Sequence, residues 1–217
     1  DGQQPGSAAA AEMSFAEQLF DQVPANCPIM GYPYAGEGIG PGEGGGVALA
    51  TRYGKYIVCD CPNLTVHSGV PAPKFKQLPP KPLNLDQSKI YLAFVISDGD
   101  NLNCWDLAHQ PLWQCESRGQ IPLGWNAMPG CYDLIPDMLA YYYETASEFD
   151  NFFACGGGVG YANPFLYASQ TDDPARALQR YLAQTAAYLE KLDIDILNPY
   201  HMGYEIDHQN LPEFQPL

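Results

Sequence analysis

The chain has 217 residues and a formal net charge of −15, with ten Lys and Arg against twenty-five Asp and Glu. That balance leaves no basic face for a phosphate backbone and argues against nucleic-acid binding. The hydrophobic share of 46% is enough for a core and against disorder by composition, and no apolar run approaches the ~18 residues of a membrane span.

An acidic surface rich in aromatic residues suits a secreted protein that handles neutral ligands such as sugars. The N-terminus, DGQQPGSAAAAEM, has neither a basic n-region nor an apolar h-region, so no signal peptide is expected, and the chain would be a mature form or a fragment. Seven cysteines (Cys27, Cys59, Cys61, Cys104, Cys115, Cys131 and Cys155) include no C-x-x-C pair, which speaks against structural zinc. They would be buried thiols or form one to three disulfides, with one thiol left over. The sequon Asn63-Leu64-Thr65 marks Asn63 as a glycosylation site and favours an extracellular address.

In chain order, residues 1–12 read as a flexible leader. Residues 13–70 read as a small α/β segment. It opens with a helix from Ser14, striped by Phe15, Leu19, Phe20 and Val23 and stopped by Pro24. A short strand covers 28–32. The Gly-rich run from Gly36 to Gly46 lacks a phosphate-loop ending, and its Glu37 and Glu43 would repel phosphate; it reads as a mobile surface loop, or else as a lid. A short helix over 46–53 and a strand over 55–59 follow. Five prolines between 71 and 88 make that stretch a linker, or an extended wrap across a surface.

From Lys89 to Leu217 strands alternate with helices. KIYLAFVISDGDN (89–101) is apolar on both strand faces, as expected of a strand buried on both sides, and ends in two carboxylates and an amide. A helix over 102–114, interrupted at Pro111, leads to a strand over 121–126. A helix over 132–146 leads to a strand over 149–155. A strong helix, capped by Asp172 or Asp173, leads to a fourth strand over 194–198. This order implies βαβ units and a parallel sheet with polar residues at the C-terminal strand ends. Four such strands are half of a (β/α) barrel, so the region is a small open sheet or part of something larger.

Several motifs resemble the GxGYxYP glycoside hydrolase family. Gly158-Val159-Gly160-Tyr161-Ala162-Asn163-Pro164 carries the signature, with Asn163 where the motif has tyrosine. Ser97 to Asn101, the stretch from Arg118 through Gly124-Trp125 to Pro129, and Asn63 to Gly69 are similar to other parts of the family. The resemblance spans about residues 25–200 and implies a barrel-like glycosidase domain, here partial, preceded by a smaller α/β region. A partial barrel leaves sheet edges unpaired, so a partner chain, a second copy or further sequence is expected to complete it.

For the chemistry, Asp98 and Asp100 would point the same way if strand geometry persisted, raising one pKa and separating acid from base. Glycosidase carboxyls stand about 5–5.5 Å apart when retaining and about 6.5–9.5 Å when inverting, commonly on different strands. The partner of Asp98 or Asp100 is therefore sought at Glu205 or Asp207, with Glu205 as the candidate. The competing reading is a tight turn whose aspartates cap the next helix. Trp125 and Tyr161 could stack on sugar rings, and Asn101, Asn126, Asn163 and His201 complete the expected substrate-binding set. No cofactor is expected. A calcium site at Asp98, Asp100 and Asn101 would depart from the EF-hand pattern, because Leu102 and Asn103 stand where ligand and glycine belong. The expected function is carbohydrate hydrolysis by paired carboxylates. The alternative is a secreted, non-catalytic glycan-binding or structural glycoprotein that assembles into an oligomer or fibre.

Overall fold

The structure, a computed structural model, describes residues 8–32, 42–59, 63–79 and 84–199. It is a mixed α/β arrangement with two small parallel sheets. The first helix, α1 (Ala8–Gln22), takes in the alanine run, so it begins inside the expected leader. β1 (Pro28–Met30) and β2 (Tyr56–Val58) pair in parallel, and α2 (Gly42–Arg52) is the crossover between them. The end of the glycine-rich run is thus the first turn of α2 and not a loop; residues 33–41 lie outside the described residues. Lys55 is buried at the entry to β2. Its ammonium donates to the carbonyls of Val23 (2.7 Å) and Tyr53 (2.6 Å), tying the end of α1 to the turn before the strand, and burial lowers its pKa. The short α3 (Leu64–His67) is pinned to the later helices through His67 Nδ1 and Asp137 Oδ2, 2.8 Å apart.

The proline-rich stretch is a wrap. Phe75 is buried against the rings of Tyr132 and Tyr143. Gln77 accepts from the Phe152 amide (2.7 Å), and its own backbone N–H donates to Asp193 Oδ2 (2.8 Å), so side chain and backbone together staple the segment across the second sheet.

That sheet has the order β3 (Phe94–Ile96), β4 (Leu123–Ala127), β5 (Asp150–Ala154), all parallel. The expected fourth strand contributes a parallel bridge of Leu197 to Ala154. The helix expected over 102–114 is two short ones, α4 (Cys104–Leu107) and α5 (His109–Trp113). The next is also split, into α6 (Cys131–Leu134) and α7 (Pro136–Glu144). Proline disfavours helical geometry in the residue before it, and Ile135 has left the helix at φ −138°. α8 (Pro174–Leu192) is continuous, with the Asp173 carboxylate accepting from the Arg176 amide at its start.

Between this sheet and α4, α5 and α7 lies an aromatic core. Trp113 packs edge-on to Trp125 (4.9 Å) and Tyr142 (4.8 Å), and Trp105 to Tyr142 (4.8 Å). Asp150 satisfies the polar atoms at its rim. It accepts from Trp125 Nε1 (2.9 Å), from the Ser147 amide (2.9 Å) and hydroxyl (2.7 Å), and from Arg118. Asp150→Ala would leave the buried Trp125 N–H unpaired and remove the counter-ion of Arg118, which would keep its bonds to backbone carbonyls. We expect a loss of about 3 kcal/mol, read as a lowered urea midpoint with unchanged slope.

The strand expected to be buried on both faces is not. Ile90 is 91% exposed and Leu92 77%, and Phe94 and Val95 are also exposed. β3 is an edge strand: only β4 pairs with it, and among the described residues nothing covers its free edge. No disulfide forms among the described cysteines, contrary to the disulfide expectation. Among the described residues no helix is long and apolar enough to cross a membrane.

Candidate functional site

The site begins where β3 stops. Asp98 adopts a left-handed backbone (φ 66°), and the Asn101 amide donates back to its carbonyl (3.2 Å). Strand geometry therefore ends before Asp100, and the premise that would point both aspartates the same way does not hold. Gly99 lies against the end of β4: its carbonyl accepts from the Met128 amide and from Trp105 Nε1, both at 3.2 Å. Neither aspartate caps the next helix, since α4 has no side-chain cap bond. Asn101 instead uses its side-chain oxygen to accept from the Asn103 amide (3.1 Å), an Asx turn that shapes the loop.

Asp100 is largely withdrawn from solvent. Burial pushes its carboxyl pKa up to about 6, helped by the charges of Asp98 and Glu43 and opposed by its own backbone N–H. Two thiols border the same acidic turn. Cys104 and Cys155 are both pushed up, first by burial and then by nearby negative charge, including that of Asp100. The Asn126 amide bonded to Cys155 pulls the other way. Asn126 is only 7% exposed, and its Oδ1 finds no hydrogen-bond partner among the described residues.

The first sheet brings its own C-terminal edge to this place. The Cys59 thiol, after β2, donates to the Tyr32 hydroxyl, after β1, at 3.1 Å. The Tyr32 pKa is raised, by burial first and also by the charges of Glu43 and Asp100.

The loop after β5 joins the two edges. Tyr161 bridges to Ile57 by a pair of backbone hydrogen bonds (2.7 and 2.8 Å). The Tyr181 hydroxyl on α8 holds the Gly160 carbonyl (2.8 Å), and Thr185 Oγ1 accepts from the Val159 amide (3.0 Å). The signature glycines allow this double contact. A Cβ on Gly160 would stand 2.2 Å from the Tyr56 ring, and one on Gly158 would stand 2.5 Å from the Tyr181 hydroxyl. From this loop the Tyr161 hydroxyl donates to Glu43 Oε1 on α2 (3.0 Å).

The expected site residues separate accordingly. Asp98, Asp100, Asn101 and Asn126 gather at the strand ends. Trp125 does not: it is 0% exposed within the aromatic core and has no ring face to offer a sugar. Tyr161 is also buried, packed in the small core of α1, α2 and the first sheet with its hydroxyl on Glu43, so it too has no ring face for stacking. Asn163 is buried and occupied in structure, its amide donating to Thr51 Oγ1 (3.1 Å) and its Oδ1 accepting from Phe165 (3.1 Å). Asn63 is exposed at the turn before α3. Glu205, Asp207 and His201 lie outside the described residues. The carboxylate that sequence reasoning passed over is Glu43. Its signal was a glutamate at the start of a glycine-rich helix, where the first turn of α2 had been read as loop. Among the described residues no group of three or more His, Cys, Asp or Glu side chains is placed to hold a metal ion.

Fold and site together define a class: a parallel α/β protein whose polar residues collect at the C-terminal ends of its strands. The particular family follows from sequence comparison. Residues 88–212 match the GxGYxYP putative glycoside hydrolase C-terminal domain, and residues 2–69 match the GxGYxYP third domain. The chain belongs to this family. A similar solved structure is that of a putative hydrolase from Bacteroides thetaiotaomicron, 27% identical with a TM-score of 0.72 over 87% of this chain. The chain spans 35% of that structure's length. No curated protein matches.

Proposed function

We propose that these sheet edges form part of a glycoside hydrolase active site, with Asp100 as the general acid. The observation that carries this is a carboxyl largely withdrawn from solvent just past the end of β3, its pKa pushed up to about 6 by burial, with Asp98 and Glu43 as charged neighbours. In the reaction Asp100 donates its proton to the glycosidic oxygen as the bond from that oxygen to the anomeric carbon breaks. Water adds to the anomeric carbon and loses a proton to a carboxylate, so one water is consumed for each bond cleaved.

The sequential order β3-β4-β5-Leu197 supports a (β/α) barrel-like arrangement, with further strands pairing to β3. The exposed Asn63 fits a glycan acceptor, and an extracellular address belongs to the same reading. A second reading, a structural glycoprotein that assembles through β3, is favoured by the exposed Ile90 and Leu92. The test is a panel of aryl glycosides at about pH 5–7. Turnover of at least one by the wild-type chain supports the enzyme. No turnover, together with oligomers in sedimentation velocity that disperse in Leu92→Lys, would establish the second reading instead.

A further inference from the structure

We propose that Glu43 is the second carboxylate of this site, brought from the preceding α/β segment by α2 and held in place by the Tyr161 hydroxyl. The proposal rests on the glycosidase reading above and names the group that takes the proton from the attacking water.

Three features place it. First, Glu43 stands in the opening turn of an eleven-residue helix. The Tyr161 hydroxyl donates to its carboxylate (3.0 Å), and the positive end of the helix dipole lies at the same turn. Second, the donor is fixed. The Tyr161 backbone is bonded to Ile57 through both N–H and C=O, and the preceding carbonyl is held by Tyr181. A hydroxyl anchored this way fixes the carboxylate it touches. Third, Asp100 lies beside the same loop. The point where a Cβ on Gly156 would sit is 3.5 Å from Asp100 Cβ and 3.5 Å from Tyr161 Cα, so acid and tyrosine flank one spot. Among the described residues, Asp98, Tyr32, Cys59, Cys104 and Cys155 are further titratable groups of this space.

An independent observation points to a ligand. Asn126, 7% exposed, stands one residue before the end of β4 beside Cys155, with its Oδ1 unpartnered among the described residues. A buried acceptor without a donor is costly, and a sugar hydroxyl has the chemistry to satisfy it. The division of labour follows. Asp100 is the acid, Glu43 the base, and Asn126 an acceptor for a substrate hydroxyl. The signature loop then has two duties: it bonds the two sheets together, and it sets the distance between carboxyls borne on different segments.

The test uses Glu43→Gln, Glu43→Asp and Tyr161→Phe in this chain, with thermal melts to confirm folding. With an active aryl glycoside, Glu43→Gln is expected to lower kcat about 100-fold with KM within about threefold. Tyr161→Phe is expected to lower kcat about tenfold, and Glu43→Asp to restore part of the loss. In parallel, carbon-13 NMR titration of the Asp100 carboxyl is expected to show a lower midpoint in Glu43→Gln than in the wild type, because one negative neighbour is gone. Unchanged kcat in Glu43→Gln would overturn the proposal, as would an Asp100 midpoint that does not move. If no glycoside is turned over, the glycosidase reading fails by itself, and the titration still decides whether the two carboxyls share a site.

Discussion

Replacing Gly99 by alanine is expected to destabilise the protein by about 4 kcal/mol or more. A Cβ at this position would stand 1.5 Å from the Asn126 carbonyl oxygen and 2.4 Å from its carbon. Those are backbone atoms of a central strand, so no rotamer change can make room. The loop would have to lift off β4, and with it would go the hydrogen bonds from Met128 and Trp105 to the Gly99 carbonyl. Each is worth about 1 kcal/mol, with further cost from the buried Trp105 N–H left unpaired. Because Gly99 lies between Asp98 and Asp100, the same change displaces both carboxyls. Urea unfolding is the measurement, and a loss below about 1 kcal/mol would show that the loop does not pack on β4 in this way.

Asp100→Asn should act in the opposite sense on stability while removing activity. The folded pKa of Asp100 lies above its ordinary value of 3.8, at about 6. The unfolded chain therefore releases this proton first as pH rises, and the folded state loses stability between about pH 4 and pH 6. Above pH 6 the penalty is complete; below pH 4 it is absent. Asparagine never ionises, so the variant should gain roughly 2 kcal/mol at pH 7 and nothing at pH 4, after allowance for the partial exposure of the carboxyl. Over the same range kcat/KM for an active glycoside should fall about 10³-fold, the usual size of a general-acid contribution. Denaturation at the two pH values and one kinetic assay check both halves. A variant that is less stable at pH 7, or as active as the wild type, would remove Asp100 from the acid's role.

Much of the fold was legible because local periodicity carries it. The apolar runs 121–126 and 149–155 became β4 and β5 within a residue or two, and the stripe that the sequence sets inward on α8 (Leu178, Tyr181, Leu182, Thr185, Leu189 and Leu192) faces the core, with Tyr181, Thr185 and Leu192 fully buried. What failed depended on neighbours. The alternation of residues 90–96 reports that the strand can be covered on both faces, not that anything covers it, and here the strand is an edge. Trp125 was read at a strand end, where a sugar platform would stand, but it is mid-strand in β4, on the side of the sheet packed by α5, where Trp113 and His109 enclose it. The helix expected over 132–146 would carry Pro136 in its first turn; the chain instead starts a separate helix there, where proline is tolerated. For the site, proximity along the chain found Asp98 and Asp100. Glu43 meets them through Tyr161, 118 residues away in sequence, a distance no local pattern bridges.

The same long separations bear on the order in which the protein folds. The sheet of β1 and β2 has two strands of three residues each, too few to persist alone in water. Its anchors are distant in sequence. Ile57 is bonded to Tyr161, and Thr51 to Asn163. Gly54 and Asn26 accept from the Tyr167 hydroxyl across 113 and 141 residues. Closing loops of this length costs chain entropy before any contact rewards it, whereas the β4-to-β5 unit closes over a few tens of residues. The small first sheet is thus the last part of this fold to become ordered, and it waits for the signature loop to be built before it has a surface to dock on.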